Sequence, residues 1–176
     1  TKYEGFKQLA NIPQLANFVN NVWMYSSYAN HPDKHNIKLH LNEWNHRVVK
    51  SMNKLPVPSP RTGDRPLMVW AVESFRSSQV MYRWYKPFLD EFKTHFKVVG
   101  MGFAFDVDEK SRAEFDDFID VSTSSPLNFS KAFQHKPDAV FYPSIGMREW
   151  SVALANVRWA RYQCMMLGHP ATSMSK

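Results

Sequence analysis

His169 is the residue of this chain best suited by type and context to move a proton. It follows Gly168 at the end of an apolar run, Tyr162 to Leu167, and precedes Pro170-Ala171-Thr172. An imidazole there can donate to a phosphate or act as a base. It can equally hydrogen-bond loop backbone. Far upstream, Ser77-Ser78 stands at an expected helix start, with Arg76 and Arg83 on either side. Free N–H groups and the helix dipole favour an anion at such a point. Serine also serves there as a plain cap. A third stretch, Tyr142-Pro143-Ser144-Ile145-Gly146, ends another apolar run in small and polar residues. Glu73 with Asp106 or Asp108 is a conceivable acid/base pair, although nothing in the order of residues brings them together.

Other chemistry lacks its signature. The chain has no Walker loop, no Gly-x-Gly-x-x-Gly, no nucleophile elbow and no His-Glu-x-x-His. His31, His35, His40 and His46 do not share a helical face. His35 and His46 return nearly to phase, but eleven residues rise ~16 Å, too far for one metal.

The elements that must position these groups follow from periodicity. Ile12, Leu15, Ala16, Val19, Val22 and Trp23 predict one helix, with Pro13 in its first turn. Asp33 is the expected cap of a second, carrying Ile37, Leu41, Trp44, Val48 and Met52 as its stripe. The two form an antiparallel hairpin that needs a neighbour to cover it. Leu55 to Pro60 alternates prolines and predicts a stiff extended linker. The boundary falls at about residue 60: a helical segment over 1–60, then a second domain over 61–176.

From Pro66 onward, strands are expected at Leu67–Val72, Lys97–Phe103, Phe118–Val121, Ala139–Tyr142 and Tyr162–Leu167. Helices or crossovers separate them. One begins near Ser78 with Met81, Trp84, Phe88, Phe92 and Phe96 inward and a kink or break at Pro87. Another covers Pro126 to His135. A third, Met147 to Trp159, turns Met147, Trp150, Leu154 and Val157 to the core. Alternation of this kind predicts an α/β fold with a parallel Rossmann-like sheet and right-handed connections. All strand exits then lie on one edge, where open α/β sheets build their ligand crevice.

Composition narrows the class. The 176 residues carry 22 Lys and Arg against 16 Asp and Glu, a formal charge of +6. That balance attracts anions weakly. The basic residues are scattered, and no arginine-rich arm, RNA-binding sheet motif or zinc spacing appears, so nucleic acid is not an expected partner. The single cysteine, Cys164, cannot form an internal disulfide and is expected as a buried thiol in a reducing compartment. No apolar run approaches the ~20 residues of a membrane span, and no signal peptide is visible.

Several stretches, in order, resemble one family. They are Glu73-Ser74-Phe75-Arg76-Ser77-Ser78-Gln79-Val80-Met81-Tyr82-Arg83, Val98 to Gly102, Phe141-Tyr142-Pro143-Ser144-Ile145-Gly146-Met147, and Leu167-Gly168-His169-Pro170-Ala171-Thr172. Tyr25 to Ala29 and Lys34 to Lys38 extend the likeness into the helical part. The chain resembles the bacterial cytoplasmic protein N-glycosyltransferases that modify high-molecular-weight adhesins, relatives of the eukaryotic O-GlcNAc transferase. The resemblance implies a GT-B architecture, two Rossmann-like domains across a cleft behind a helical domain. It implies metal-independent, inverting transfer from a UDP-hexose to Asn, or to Ser/Thr, of a protein acceptor in the cytoplasm. The nucleotide is then held mainly by a second, C-terminal Rossmann-like domain, and this chain alone is expected to be inactive.

By the same resemblance, His169 and Gln79 are the catalytic candidates, and Ser77, Ser78, Tyr82, Arg83, Ser144, Gly146 and Thr172 the substrate-binding ones. One departure stands out. The family carries histidines around the Ser-Ser pair, where this chain has Ser74, Arg76 and Gln79. Glutamine can orient a group by hydrogen bonds but cannot act as a base near neutral pH. A non-catalytic, polypeptide-binding member of the same fold is the alternative reading.

Overall fold

Leu67 to Ala71 is apolar at every position, and every one of these residues is buried. The segment is the central strand, β1, of a five-stranded sheet ordered β3-β2-β1-β4-β5. The computed structural model describes residues 13–58, 65–123, 127–166 and 172–175. Lys97–Gly102 forms β2, Asp117–Asp120 β3, Ala139–Tyr142 β4 and Tyr162–Met165 β5. All four pairings are parallel, as the alternation of elements requires.

The strand period of two divides the core into layers. Leu67, Val69, Ala71, Val99, Met101, Val140 and Tyr142 face one layer. Met68, Trp70, Val72, Val98, Ala139 and Phe141 face the other. The second layer is aromatic. The Trp70 ring lies within edge or tilted contact of Phe75, Phe92, Phe115 and Phe141, a geometry worth about 0.5–1.5 kcal/mol per pair beyond area burial.

The first layer is closed by helices α1 (Pro13–Tyr25), α2 (Asn36–Met52), a short α5 (Ser130–Gln134) and α6 (Glu149–Ala155). Trp150 to Ala155 is buried throughout, because α6 lies between the sheet and the helical hairpin. The second layer is closed by α3 (Val80–His95). A four-residue α4, Glu109–Arg112, sits between β2 and β3.

Several local expectations are corrected. Helix α3 starts at Val80 with Gln79 as its N-cap, within two residues of the expected Ser78. Its buried residues are Tyr82, Tyr85 and Leu89, with Met81, Phe92 and Phe96 packed beside them. Trp84 is 68% exposed and Phe88 47%. The inward stripe is displaced by about one residue, or ~100° of helix, which rotates those two rings out. Pro87 breaks nothing: the helix is continuous, and the proline lies on its exposed face. His35, not Asp33, stands at the N-cap position of α2 and makes no side-chain cap bond, while the Asp33 carbonyl accepts the Asn36 amide at 2.9 Å. Cys164 is exposed rather than buried, because β5 is the outer strand among those described.

Candidate functional site

Strands β1 and β4 are neighbours whose following helices go to opposite faces of the sheet. This is a topological switch point, where open α/β sheets leave a crevice at the carboxyl ends of the strands. Glu73, two residues past β1, occupies it and is 1% exposed. One carboxylate oxygen accepts the Ser144 hydroxyl at 2.7 Å. The other accepts the amides of Gly146 at 2.8 Å and Arg148 at 3.0 Å, together with the Ser151 hydroxyl. Burial raises the Glu73 pKa, and these four donors offset part of that shift. A single buried carboxylate thus ties the β1 exit to the whole β4 exit.

Arg148 extends the tie sideways. Its guanidinium pairs with Asp106 at 2.6 Å and lies over the rings of Phe103 and Phe105 at 5.6 and 5.5 Å. The Asp106 carbonyl in turn accepts the Phe75 amide at 3.0 Å. The loops after β1, β2 and β4 are therefore braced together. Glu73, Asp106 and Asp108 do not form the imagined acid/base pair. Each has its own partners, and those of Asp108 are Ser77 and Ser111.

The residues singled out from the sequence divide into groups. Ser77 donates its amide and hydroxyl to Asp108 at 2.9 and 2.7 Å. Gln79 uses its carbonyl oxygen to accept the Ser74 hydroxyl at 2.7 Å and the Arg76 amide at 3.2 Å. Ser78 and Arg83 are exposed. Tyr82 turns inward, where its hydroxyl donates to Glu114 at 2.7 Å, and burial followed by that contact pushes its pKa up to about 12. Ser144 and Gly146 are buried and spend donors on Glu73. Thr172 is exposed, and its carbonyl accepts the Lys38 ammonium at 2.9 Å. His169 and Gly168 lie outside the described residues. Among the described residues no group of three or more His, Cys, Asp or Glu is arranged to hold a metal ion.

Sequence reasoning passed over Arg148 and Lys38. Arg148 could have been found as a cation just past a strand exit, and Lys38 as a lysine in register with buried positions of α2.

Hydrogen bonds from Ser111, then from Ser77, hold the Asp108 carboxyl well below its ordinary range. A depressed carboxylate stabilises the fold above its unfolded value, near 3.8, and that contribution is lost as pH falls. Asp108→Asn should therefore flatten the acid side of the stability profile below about pH 4. Thermal unfolding across pH checks this, and parallel profiles for the two proteins would refute it.

Fold and crevice together define a Rossmann-like half of a GT-B fold preceded by a helical hairpin. A point mutant of Thermobaculum terrenum O-GlcNAc transferase superposes with a TM-score of 0.63 over 93% of this chain and 33% of its own, at 14% identity. No protein-family model matches the chain. Two UDP-glucose:protein N-beta-glucosyltransferases of Actinobacillus pleuropneumoniae, from serotype 5b (strain L20) and serotype 7 (strain AP76), are each 31% identical to it over 181 residues. The alignment takes in 98% of this chain and 29% of either relative, so the chain spans under a third of their length. The chain is thus related over nearly its whole length to these protein glycosyltransferases. Among the described residues no helix is long and apolar enough to cross a membrane.

Proposed function

We propose that this chain is the acceptor-side part of a cytoplasmic, UDP-sugar-dependent protein glycosyltransferase. The observation that carries the reading is the relation to protein N-glucosyltransferases across 98% of the chain. The switch-point crevice supplies a place for the chemistry. In the reaction, the acceptor side-chain nitrogen attacks the anomeric carbon of a UDP-hexose. The bond from that carbon to the phosphate oxygen breaks with inversion, UDP leaves, and the nitrogen gives up a proton. No metal takes part, and the nucleotide sits on a C-terminal domain beyond this chain.

His169 is the imidazole available to take the proton, and Gln79 orients the acceptor amide. Ser78, Arg83 and Thr172 form the rim that meets substrate, with Ser77 beside them holding its amide and hydroxyl on Asp108. Tyr82, Ser144 and Gly146 support it, since their polar groups already serve Glu114 and Glu73.

The test is hexose transfer from UDP-glucose to an Asn-x-Ser/Thr acceptor protein by the full-length enzyme, followed by mass spectrometry of the product. In that assay Arg83→Ala should cut kcat/KM at least about tenfold, ~1.4 kcal/mol of transition-state stabilisation. Gln79→His should be tolerated or should raise the rate. An unchanged rate for Arg83→Ala together with loss of activity in Gln79→His would show that these family roles do not carry over.

The second reading is a polypeptide-binding member without transferase activity. It is favoured by Gln79, whose acceptor oxygen already serves Ser74 and Arg76 where the family places histidines. Peptide binding without nucleotide, and no turnover, would establish it.

A further inference from the structure

Helix α2 buries a polar seam. Lys38, Asn42 and Asn45 are all buried, alongside Val48 and Val49. Lys38 has no exposed surface. Its ammonium donates to the Ser27 hydroxyl at 2.9 Å and to the Thr172 carbonyl at 2.9 Å, and stands 3.9 Å from the centre of the Trp23 ring. No ion pair to a carboxylate accompanies these contacts among the described residues. Lys34 adds positive potential at this ammonium, and burial, then Lys38 and Lys34, lowers the His35 pKa in turn. Burial first, then Lys34, pulls the Lys38 pKa down to about 8.

Asn42 repeats the pattern. It donates to the Ser173 carbonyl at 3.0 Å and accepts from Trp23 at 2.9 Å and Asn156 at 3.1 Å. Asn20, on α1, donates to the Gly146 carbonyl at 3.3 Å. Three side chains of the hairpin thus hold backbone carbonyls of two segments, one past β4 and one past β5. Toward those two segments the bonds go to backbone and not to side chains, so they fix where the segments run whatever their sequence.

Packing alone does not call for this. A methionine at position 38 would fill much the same volume without desolvating a charge, and replacing buried charges by apolar residues is often neutral or stabilising. What the lysine adds is a hydrogen-bonded link between Ser27 and the Thr172 carbonyl.

We propose that Lys38 is a positioning residue for the transfer site: with Asn42 and Asn20 it clamps the segments after β5 and β4 to the helical hairpin and so sets the cavity between them, lined by Tyr142, Ile145, Cys164, Met165, Ser173 and Ser175. The inference rests on the glycosyltransferase reading for its effect on rate, and on the contacts alone for its effect on the segment. The hairpin is then part of the catalytic apparatus and not only a cover for the sheet.

The experiment compares wild type, Lys38→Met and Ser27→Ala in the full-length protein. It measures thermal midpoint, amide exchange at Thr172 to Met174, and kcat and KM with UDP-glucose and an acceptor protein. Lys38→Met should melt at the same temperature or higher and exchange faster over Thr172 to Met174. Its kcat should fall about tenfold or more, as loss of alignment predicts, with the donor KM within about twofold. Ser27→Ala should move the same quantities the same way by less. If Lys38→Met fails to fold, Ser27→Ala decides: faster exchange with lower kcat at an unchanged midpoint supports the clamp. Unchanged exchange over Thr172 to Met174 overturns it, as does an unchanged kcat in a folded variant. If wild type transfers no sugar while exchange in Lys38→Met still rises, the clamp stands and the glycosyltransferase reading fails.

Discussion

Glu73→Ala should lower stability by roughly 4 kcal/mol and the thermal midpoint by about 10 °C or more, at about 2–4 °C per kcal/mol for a domain of this size. Glu73 is 1% exposed, and its two oxygens serve two backbone amides and two hydroxyls. Removing the carboxylate leaves the buried Ser144 hydroxyl and Gly146 amide and the half-buried Arg148 amide unanswered, while the Ser151 hydroxyl keeps the Arg148 carbonyl at 2.9 Å, and each unsatisfied buried group costs about 1–3 kcal/mol before relaxation. The side chain also leaves a cavity that its neighbours fill only in part. Against a total stability of typically 5–15 kcal/mol this is a large fraction. The damage should be local first. Amide exchange at Gly146 and Arg148 should accelerate more than in the strand Val98 to Gly102, where the backbone bonds do not involve Glu73. A midpoint shift below about 3 °C, or exchange rates unchanged at those two amides, would mean that the carboxylate is not the tie between the β1 and β4 exits.

Gly146→Ala should cost about 3 kcal/mol, seen as a midpoint lower by about 8 °C. Two separate observations require glycine there. Its φ is +123°, a conformation that L side chains rarely adopt. A Cβ would also come within 2.7 Å of the Trp23 ring, which is itself 1% exposed and bonded to Asn42. The indole cannot retreat without breaking that bond, so backbone strain and overpacking add. Met147→Ala, one residue on and exposed, should stay within about 0.5 kcal/mol of wild type. Equal midpoints for the two variants would show that the hairpin does not bear on Gly146 in solution.

The two variants also show how far the residues could be read without the structure. Glu73, Ser144 and Gly146 all stood out as strand-exit residues. Their joining did not, because Glu73 and Ser144 are 71 positions apart and only the parallel pairing of β1 with β4 brings them together. Arg148 and Asp106 are separated by 42 positions and meet for a similar reason. The expected imidazole, His169, falls outside the described residues. Helix faces were legible to within a turn, yet not to the residue. Trp84 and Phe88 belong to an apolar repeat as good as that of Tyr82, Tyr85 and Leu89, and only contact with β1 and β4 selects between them.

What the order of residues determined by itself was local. Continuous apolar runs separated by helical periods point to parallel strands, and the central β1, β2 and β4 are covered on both faces where the outer β3 and β5 are not. The resemblance to protein glycosyltransferases was equally legible, since it lies in contiguous stretches. The tertiary structure decided the partners of the polar groups. A buried carboxylate or lysine has no preferred partner along the chain. Which donors and carbonyls reach Glu73 and Lys38 depends on strand order, helix rotation and the seating of the hairpin, none of which is encoded at either residue alone.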